Sequence, residues 1–177
     1  FDGYWEDIGT VGSFWECNLT LTDPVPPFDF FDGQNPVYTH SRYLPPAKLN
    51  GARSTRVLMA DGAIVDDSEL SRCVIGVRSV IRGGSRLENV VMMGADAFER
   101  PHDLARNNSL GRPDIGVGPN CLIRNAIIDK NARIGEGCRL SPTGLPEKWE
   151  TDALFVRDGV IVVKKGAIVP PGTVVGG

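Results

Sequence analysis

The stretch Ile128-Asp129-Lys130-Asn131-Ala132-Arg133-Ile134-Gly135-Glu136-Gly137-Cys138-Arg139-Leu140 puts a large apolar residue at every sixth position and a small residue, Ala132 or Cys138, four places after each of the first two. The same beat runs through Leu58, Ile64 and Leu70, then Ile75, Ile81 and Leu87, then Val117 and Ile123, and finally Val162, Ile168 and Val174. Gly62, Ser68, Ser79, Ser85, Cys121, Gly166 and Gly172 take the small position. An amphipathic helix repeats near 3.6 residues and a half-buried strand at 2, so neither accounts for a step of six. A repeat in which one apolar side chain points inward and one small residue turns a corner predicts a mainly β chain, a single-stranded parallel β-helix of hexapeptides.

Working outward, the steps Leu70 to Ile75 and Ile123 to Ile128 are one residue short, in the similar contexts Ser71-Arg72-Cys73-Val74-Ile75-Gly76 and Arg124-Asn125-Ala126-Ile127-Ile128-Asp129. A shortened corner that recurs in this way is a built feature. Residues 95–114 and 141–159 lose the beat and contain Pro101, Pro113, Pro142 and Pro146, so they read as excursions from the coil. Such excursions lie on the surface and often carry contacts. At about three hexapeptides per coil, the repeat over 51–177 amounts to roughly four to five coils. Ahead of it, Thr10 is placed to cap a short helix with the apolar face Val11, Phe14, Trp15 and Leu19, ended by Asp23-Pro24. The remainder, 23–50, is rich in Pro and aromatics and reads as an extended linker that packs Phe28, Phe30, Phe31, Tyr38 and Tyr43 against something.

Composition narrows the function. The 177 residues carry a formal charge of −3, which excludes the basic footprint of a nucleic-acid binder. With 41% apolar and 23% charged residues the chain can build a core, and no apolar run approaches the roughly 20 residues of a membrane helix. Cys17, Cys73, Cys121 and Cys138 form no Cys-x-x-Cys and read as structural thiols in a reducing compartment. The amino end, Phe1-Asp2-Gly3-Tyr4-Trp5, begins without Met or a signal-peptide layout, so the chain is expected to be a piece of a longer protein.

Three groups of side chains could carry chemistry. In Tyr4-Trp5-Glu6-Asp7-Ile8-Gly9-Thr10 an aromatic pair precedes an acid and a turn into a helix. Aromatic faces stack on sugar rings and a carboxylate there can hold a divalent metal, although packed aromatics and a capping acid would look the same. Arg42, Lys130 and Lys165 are cations that could bind a phosphorylated metabolite if gathered, or could simply be solvated. His40 and His102 are the two histidines. His102 lies in the first excursion, where hexapeptide acyltransferases keep a general base, but Arg100-Pro101-His102-Asp103 shows nothing else of a coenzyme A site.

The Tyr4 to Thr10 segment resembles the one that closes the catalytic domain of sugar nucleotidyltransferases. Pro36-Val37-Tyr38-Thr39, Leu44-Pro45-Pro46-Ala47-Lys48, Val74-Ile75-Gly76-Val77-Arg78-Ser79, Met93-Gly94-Ala95-Asp96, the run Ala126 to Gly135 and the run Gly159 to Ala167 are similar to one branch. That branch is glucose-1-phosphate adenylyltransferase, or ADP-glucose pyrophosphorylase, and the resemblance covers essentially the whole chain. It implies a left-handed β-helix, against the usual right-handed crossover, a hand that spacing could not reveal.

The resemblance further implies an enzyme that makes ADP-glucose and pyrophosphate from ATP and glucose 1-phosphate with Mg²⁺, for glycogen or starch synthesis. On it, residues 1–22 are the end of the catalytic domain, 23–50 the linker and 51–177 a β-helix for regulation and oligomerisation. Asp7 matches a metal-ligand aspartate of the catalytic site, Trp5 the glucose site, and Arg42, Lys130 and Lys165 the sites for an anionic effector such as 3-phosphoglycerate, fructose bisphosphate or inorganic phosphate. The family's nucleotide loop, first metal aspartate and Glu-Lys pair belong to a preceding domain that this sequence lacks, so the chain alone is expected to be inactive and to hold no cofactor. A homo-oligomer, tetrameric in the parent enzyme, is expected, with no nucleic-acid or membrane partner, in a bacterial cytoplasm or a plant plastid. Two alternatives stand beside this reading: an acyltransferase using His102, and a purely structural dimerisation domain.

Overall fold

The computed structural model describes residues 2–177; Phe1, at the edge of the expected catalytic remnant, lies outside the described residues. In chain order the elements are α1 (Val11–Thr20), β1 (Lys48–Asn50), β2 (Arg53–Met59), β3 (Ile64–Asp66), β4 (Glu69–Ile75), β5 (Val80–Ile81) and β6 (Arg86–Met92), followed by α2 (Pro101–Ser109). After α2 come β7 (Gly116–Val117), β8 (Leu122–Ile128), β9 (Arg133–Ile134), β10 (Arg139–Leu140), β11 (Trp149–Glu150), β12 (Leu154–Arg157), β13 (Val160–Val163), β14 (Ile168–Val169) and β15 (Val174–Val175). One face is the all-parallel stack β1-β3-β5-β7-β9-β14. The long strands β2, β4, β6 and β8 each bend midway and supply the other two faces, closing a parallel β-helix.

The stack has six rungs on its first face, more than the four to five coils counted from the repeat. The extra rung begins at Lys48, inside the stretch expected to be linker, because β1 pairs in register with β3. Register also explains the repeat. Val65, Ile81, Val117, Ile134 and Val169 form one fully buried inward column, and Leu70, Leu87, Ile123 and Leu140 a second. Each deeply buried aliphatic of this kind stabilises by about 1.5–3 kcal/mol. The small positions turn the corners: Ser68 Oγ donates to Arg82 O at 3.1 Å, Ser85 Oγ to Gly118 O at 2.8 Å and Cys121 Sγ to Gly135 O at 3.1 Å, so each ties its rung to the next.

At both ends of the chain the inward phase is one residue later than the six-residue beat implies. Met59 and Val65 take the inward positions in place of Leu58 and Ile64, and Val163, Val169 and Val175 in place of Val162, Ile168 and Val174. Ile168 and Val174 are 45% and 64% exposed. The neighbouring aliphatics hide the slip, since Ile-Val and Val-Val pairs offer an apolar residue in either phase.

The five-residue steps are the bend between the second and third faces. It falls on Arg56, Arg72, Asn89 and Asn125, all with φ near +50°. A side chain in this left-handed region costs on the order of 1 kcal/mol, least for Asn. The arginines have a reason to be there. Helix α1 lies across the outward side of the third face, where Leu19 packs on Val91, Ile127, Val160 and Val162, and the corner grips it rung by rung. Arg56 pairs with Asp23, Arg72 with Glu16, and the carbonyl of Asn89 accepts from Trp15 Nε1 at 3.0 Å. Thr10 caps the helix, its Oγ1 accepting from Ser13 N at 3.1 Å.

The two excursions are partly ordered elements. Pro101 opens α2 in the first. In the second, β11, β12 and β13 form an antiparallel meander in which β12 places Leu154 and Val156 in the core, and the parallel coil resumes with β13 at Val160. Asp158-Gly159, both with positive φ, make its two-residue turn. The linker aromatics do not pack as expected: Phe31, Tyr38 and Tyr43 are 81%, 90% and 97% exposed, while Phe28 and Phe30 meet only edge to face. Cys73, Cys121 and Cys138 are buried free thiols, and burial pushes the Cys73 thiol up to about 11. Among the described residues no helix is long and apolar enough to cross a membrane.

The corrected phase predicts unequal costs for two substitutions that fall on the same six-residue beat. Ile134→Ala, at a fully buried site, should lower the unfolding free energy by about 2–5 kcal/mol. Ile168→Ala should cost only about 0.5 kcal/mol. Urea unfolding of the two variants measures the difference.

Candidate functional site

The corner that follows the third face carries the charged residues of interest. There the rungs are joined by Arg78 N to Asp61 O at 3.3 Å, Ala95 N to Val77 O at 2.9 Å, Asn131 N to Gly94 O at 3.1 Å and Gly166 N to Lys130 O at 2.8 Å. Parallel stacking therefore sets Asp61, Val77, Gly94, Lys130 and Lys165 in one column. Gly94 is required at its place: its φ is +88°, and an added Cβ would fall 2.1 Å from the carbonyl oxygen of Val77. Beyond that tight crossing Ala95 stays buried and Asp96 lies over the next rung, beside Asn131.

Lys130 and Lys165 thus stand on adjacent rungs with Asp96 beside them. Lys130 Nζ is 3.0 Å from Asp96 Oδ1, Asn131 Nδ2 donates to Asp96 Oδ2 at 2.7 Å, and Asp96 N donates to Asn131 Oδ1 at 2.9 Å. Asn131 and Lys130, with the field of Lys165 behind them, hold the Asp96 carboxyl below its ordinary value of 3.8. The corner is a cationic pair already engaged by one carboxylate of its own chain. Lys164, next in sequence, is held by Glu150 at 2.9 Å, whereas no ion pair engages Lys165 among the described residues.

Arg42 is not with them. It lines a separate cleft of 550 Å³ at the first rungs, formed by Thr39 to Leu44 with Met59, Ala60, Asp61 and Val77, and its Nη1 donates to His40 O at 3.4 Å. Asp61 lies three rungs from Lys130 along the column, about 15 Å at ~4.8 Å per rung, too far for Arg42 in its observed place to share one small anion with Lys130. A sequence spread over the whole chain could not reveal which rung the linker reaches.

Trp5 and Asp7 are exposed, Trp5 at 74%. Neither is packed in the way an aromatic-plus-cap reading requires, since Thr10 and Ser13 do the capping. The next residues, Ile8 to Val11, border a 410 Å³ apolar cleft whose other wall includes Met93, Ile127, Phe155 and Asp129. Asp129 immediately precedes Lys130 and accepts from its amide at 2.6 Å. The segment bearing Asp7 and the corner bearing Lys130 are therefore neighbours across this cleft. Asp7 is a single carboxylate, and among the described residues no three His, Cys, Asp or Glu side chains gather as a metal cluster. Mg²⁺ demands near-octahedral coordination, so the described side chains do not by themselves make its site.

His102 sits exposed in the first turn of α2, its Nε2 3.2 Å from the Asp103 carboxylate. His40 is exposed beside Arg42. His40 lines the same cleft as Arg42, and among the described residues neither histidine side chain is hydrogen-bonded to a nucleophilic side chain.

One polar network was not read from the residues. Glu99, only 10% exposed, pairs with Arg133 at 2.8 Å, accepts from Asn107 Nδ2 at 2.7 Å and from Ile115 N at 2.7 Å. Fully buried Asn107 also donates to Asp114 at 2.8 Å and accepts from Arg112. Together these pin α2 against the first face. Its members are scattered across residues 99–133, with no spacing that marks them in advance. The Asp158-Gly159 turn, in contrast, had a readable signal, since Asp-Gly between apolar alternations favours a tight hairpin.

Residues 42–174 match the family model described as the GLGC left-handed parallel beta-helix domain. The match spans nearly all of the coil stack, and it gives the helix its hand.

The Glu99 network carries a pH signature. Burial raises the Glu99 pKa, but the bonds from Asn107, Ile115 and Arg133 outweigh it and leave the net value below the ordinary 4.5. A lowered folded value means that the stabilisation is fully present above pH 4.5 and is lost as pH falls through the lower one. Protection of the α2 amides from hydrogen exchange, corrected for intrinsic rates, should therefore drop below pH 4.5 in the native chain. In Glu99→Gln it should already be reduced at pH 7 and change little with pH.

Proposed function

Because the chain belongs to the GLGC family of left-handed parallel β-helix domains, the carboxy-terminal domain of glucose-1-phosphate adenylyltransferase, we propose that it is the regulatory and oligomerisation region of an enzyme that makes ADP-glucose and pyrophosphate from ATP and glucose 1-phosphate. The observation that carries the regulatory part is the column holding Lys130 and Lys165 on adjacent rungs around Asp96. Two ammonium groups at one corner suit a phosphorylated metabolite, whose several oxygens can take charge-assisted hydrogen bonds from both. An arriving anion exchanges with Asp96 for Lys130. The corner is thus a competition between an internal carboxylate and an external phosphate, and it lies across one cleft from the segment that carries Trp5 and Asp7.

In this reading Trp5 faces the glucose ring and Asp7 contributes one carboxylate toward Mg²⁺, with the other ligands outside this chain. The ion, when bound, offsets charge on the phosphates during attack on the α-phosphorus of ATP. Arg42 belongs to a second anion contact at the first rungs, completed by neighbouring subunits or by the preceding domain. The exposed aromatics between Phe28 and Tyr43 are the surface on which those neighbours pack, consistent with a homo-oligomer.

Three variants of the complete enzyme test the corner. Lys130→Ala and Lys165→Ala should each weaken activation by the anionic effector while leaving unactivated turnover within about twofold. Asp96→Asn keeps an oxygen for Asn131 but removes the competing charge, so it should act oppositely and lower the activator concentration needed for half-maximal response. The measurement is ADP-glucose synthesis against effector concentration. Unchanged activation in both lysine variants would remove them from the site.

A further inference from the structure

We propose that Asp158 is a positioning residue for the active-site segment Trp5–Thr10, acting from a rigid turn far away in sequence; this rests on the enzyme reading above. The first-turn amides of a helix lack internal acceptors. In α1, Ser13 N is satisfied locally by Thr10 Oγ1, but Gly12 N donates to Asp158 Oδ2 at 3.0 Å, across 146 residues of sequence. The carboxylate is doubly suited to that place, as an acceptor and as a negative charge at the positive end of the helix.

Three features make this contact more than a chance touch. First, Asp158 occupies an Asp-Gly hairpin turn with φ of +53°, between the paired residues Arg157 and Val160, so its position is set by the β12–β13 ladder and not by a loose loop. Second, the approach is close enough to require glycine: a Cβ on residue 12 would lie 2.9 Å from the Cβ of Asp158. Third, Asp158 extends a series. Asp23, Glu16 and Trp15 of the α1 region are held by Arg56, Arg72 and Asn89 along the bend column, and Asp158 supplies the last grip at the amino-terminal end.

What this grip controls lies just upstream. Asp7 sits only a few residues before Gly12, with its carboxylate folded close over Gly9, where an added Cβ would meet Asp7 Oδ1 at 3.3 Å. A shift in the first turn of α1 is therefore passed directly to Asp7 and Trp5. The same strand that begins beside Asp158, β13, runs on to Lys164 and Lys165 at the effector corner.

The test compares Asp158→Gly with Asp158→Asn in the complete enzyme. Glycine accepts the positive φ without strain, so the turn persists and only the carboxylate is lost. Asparagine tolerates the same backbone and keeps an oxygen for Gly12 N. Asp158→Gly should raise KM for glucose 1-phosphate by roughly tenfold, the scale of losing a charged hydrogen bond, and also lower kcat, because the displacement reaches Asp7. Asp158→Asn should remain within about threefold of the native KM. In the 177-residue chain, Asp158→Gly should speed hydrogen exchange at Gly12 without lowering Tm. An unchanged KM in Asp158→Gly, or equal impairment in both variants, overturns the proposal. No ADP-glucose synthesis by the unsubstituted enzyme would instead overturn the enzyme reading itself.

Discussion

Everything in this molecule depends on the parallel register of its rungs. Because Leu70 sits over Leu87 and Ile123, and Val65 over Ile81, Val117 and Ile134, each coil seals the interior of the next, and no single coil could bury its own face. Register also lines up everything that is not core. The outward aliphatics of the third face become a shelf for α1, the left-handed bends become a column of grips, and the corner beyond becomes a column of charges. A fold whose side chains repeat vertically turns residues far apart in sequence into neighbours. Lys130 and Lys165 meet for this reason and for no local one.

The two charged columns differ in what they hold. At the bend, Arg56 and Arg72 tolerate an unfavourable backbone and direct their guanidinium groups to Asp23 and Glu16. Such partly exposed pairs contribute little stability individually, about 0–1 kcal/mol, and the apolar contact of Leu19 with Val91 and Val160 does more to fix α1. The pairs set where along the stack the helix lies. At the other corner the cations are balanced by one carboxylate, Asp96. One column therefore locates the end of the segment bearing Asp7, and the other gathers Lys130, Lys165 and Asp96 beside it.

Much of this was legible in the residues. The six-residue step in Ile75, Ile81 and Leu87 specified a β-helix because no other regular structure buries one side chain at that interval, and Thr10 announced the helix it caps. The failures have physical causes. Val162 and Ile168 were placed inside because aliphatic doublets satisfy two phases equally, and only pairing with β8 and β9 distinguishes them. The linker aromatics were expected to pack, but hydrophobicity says that a ring needs a partner, not that the partner is in the same chain. For the site, the likeness to a known family singled out Lys130, Lys165 and Arg42 together, whereas register places only the first two at one corner. Asp96, Glu99 and Asp158 carried no signal of their roles, since an acid's function here comes from what the coil stacks against it.

The most direct test of the account is a titration of the ¹⁵N-labelled 177-residue chain with inorganic phosphate, followed by amide NMR shifts. The account predicts saturable shifts concentrated at Asp96, Lys130, Asn131, Lys165 and Gly166, with smaller ones at Asp129 across to Gly9 and Thr10. Shifts confined to the arginines of the second face, such as Arg53 and Arg86, or no saturable shift at the Lys130–Lys165 corner, would contradict it.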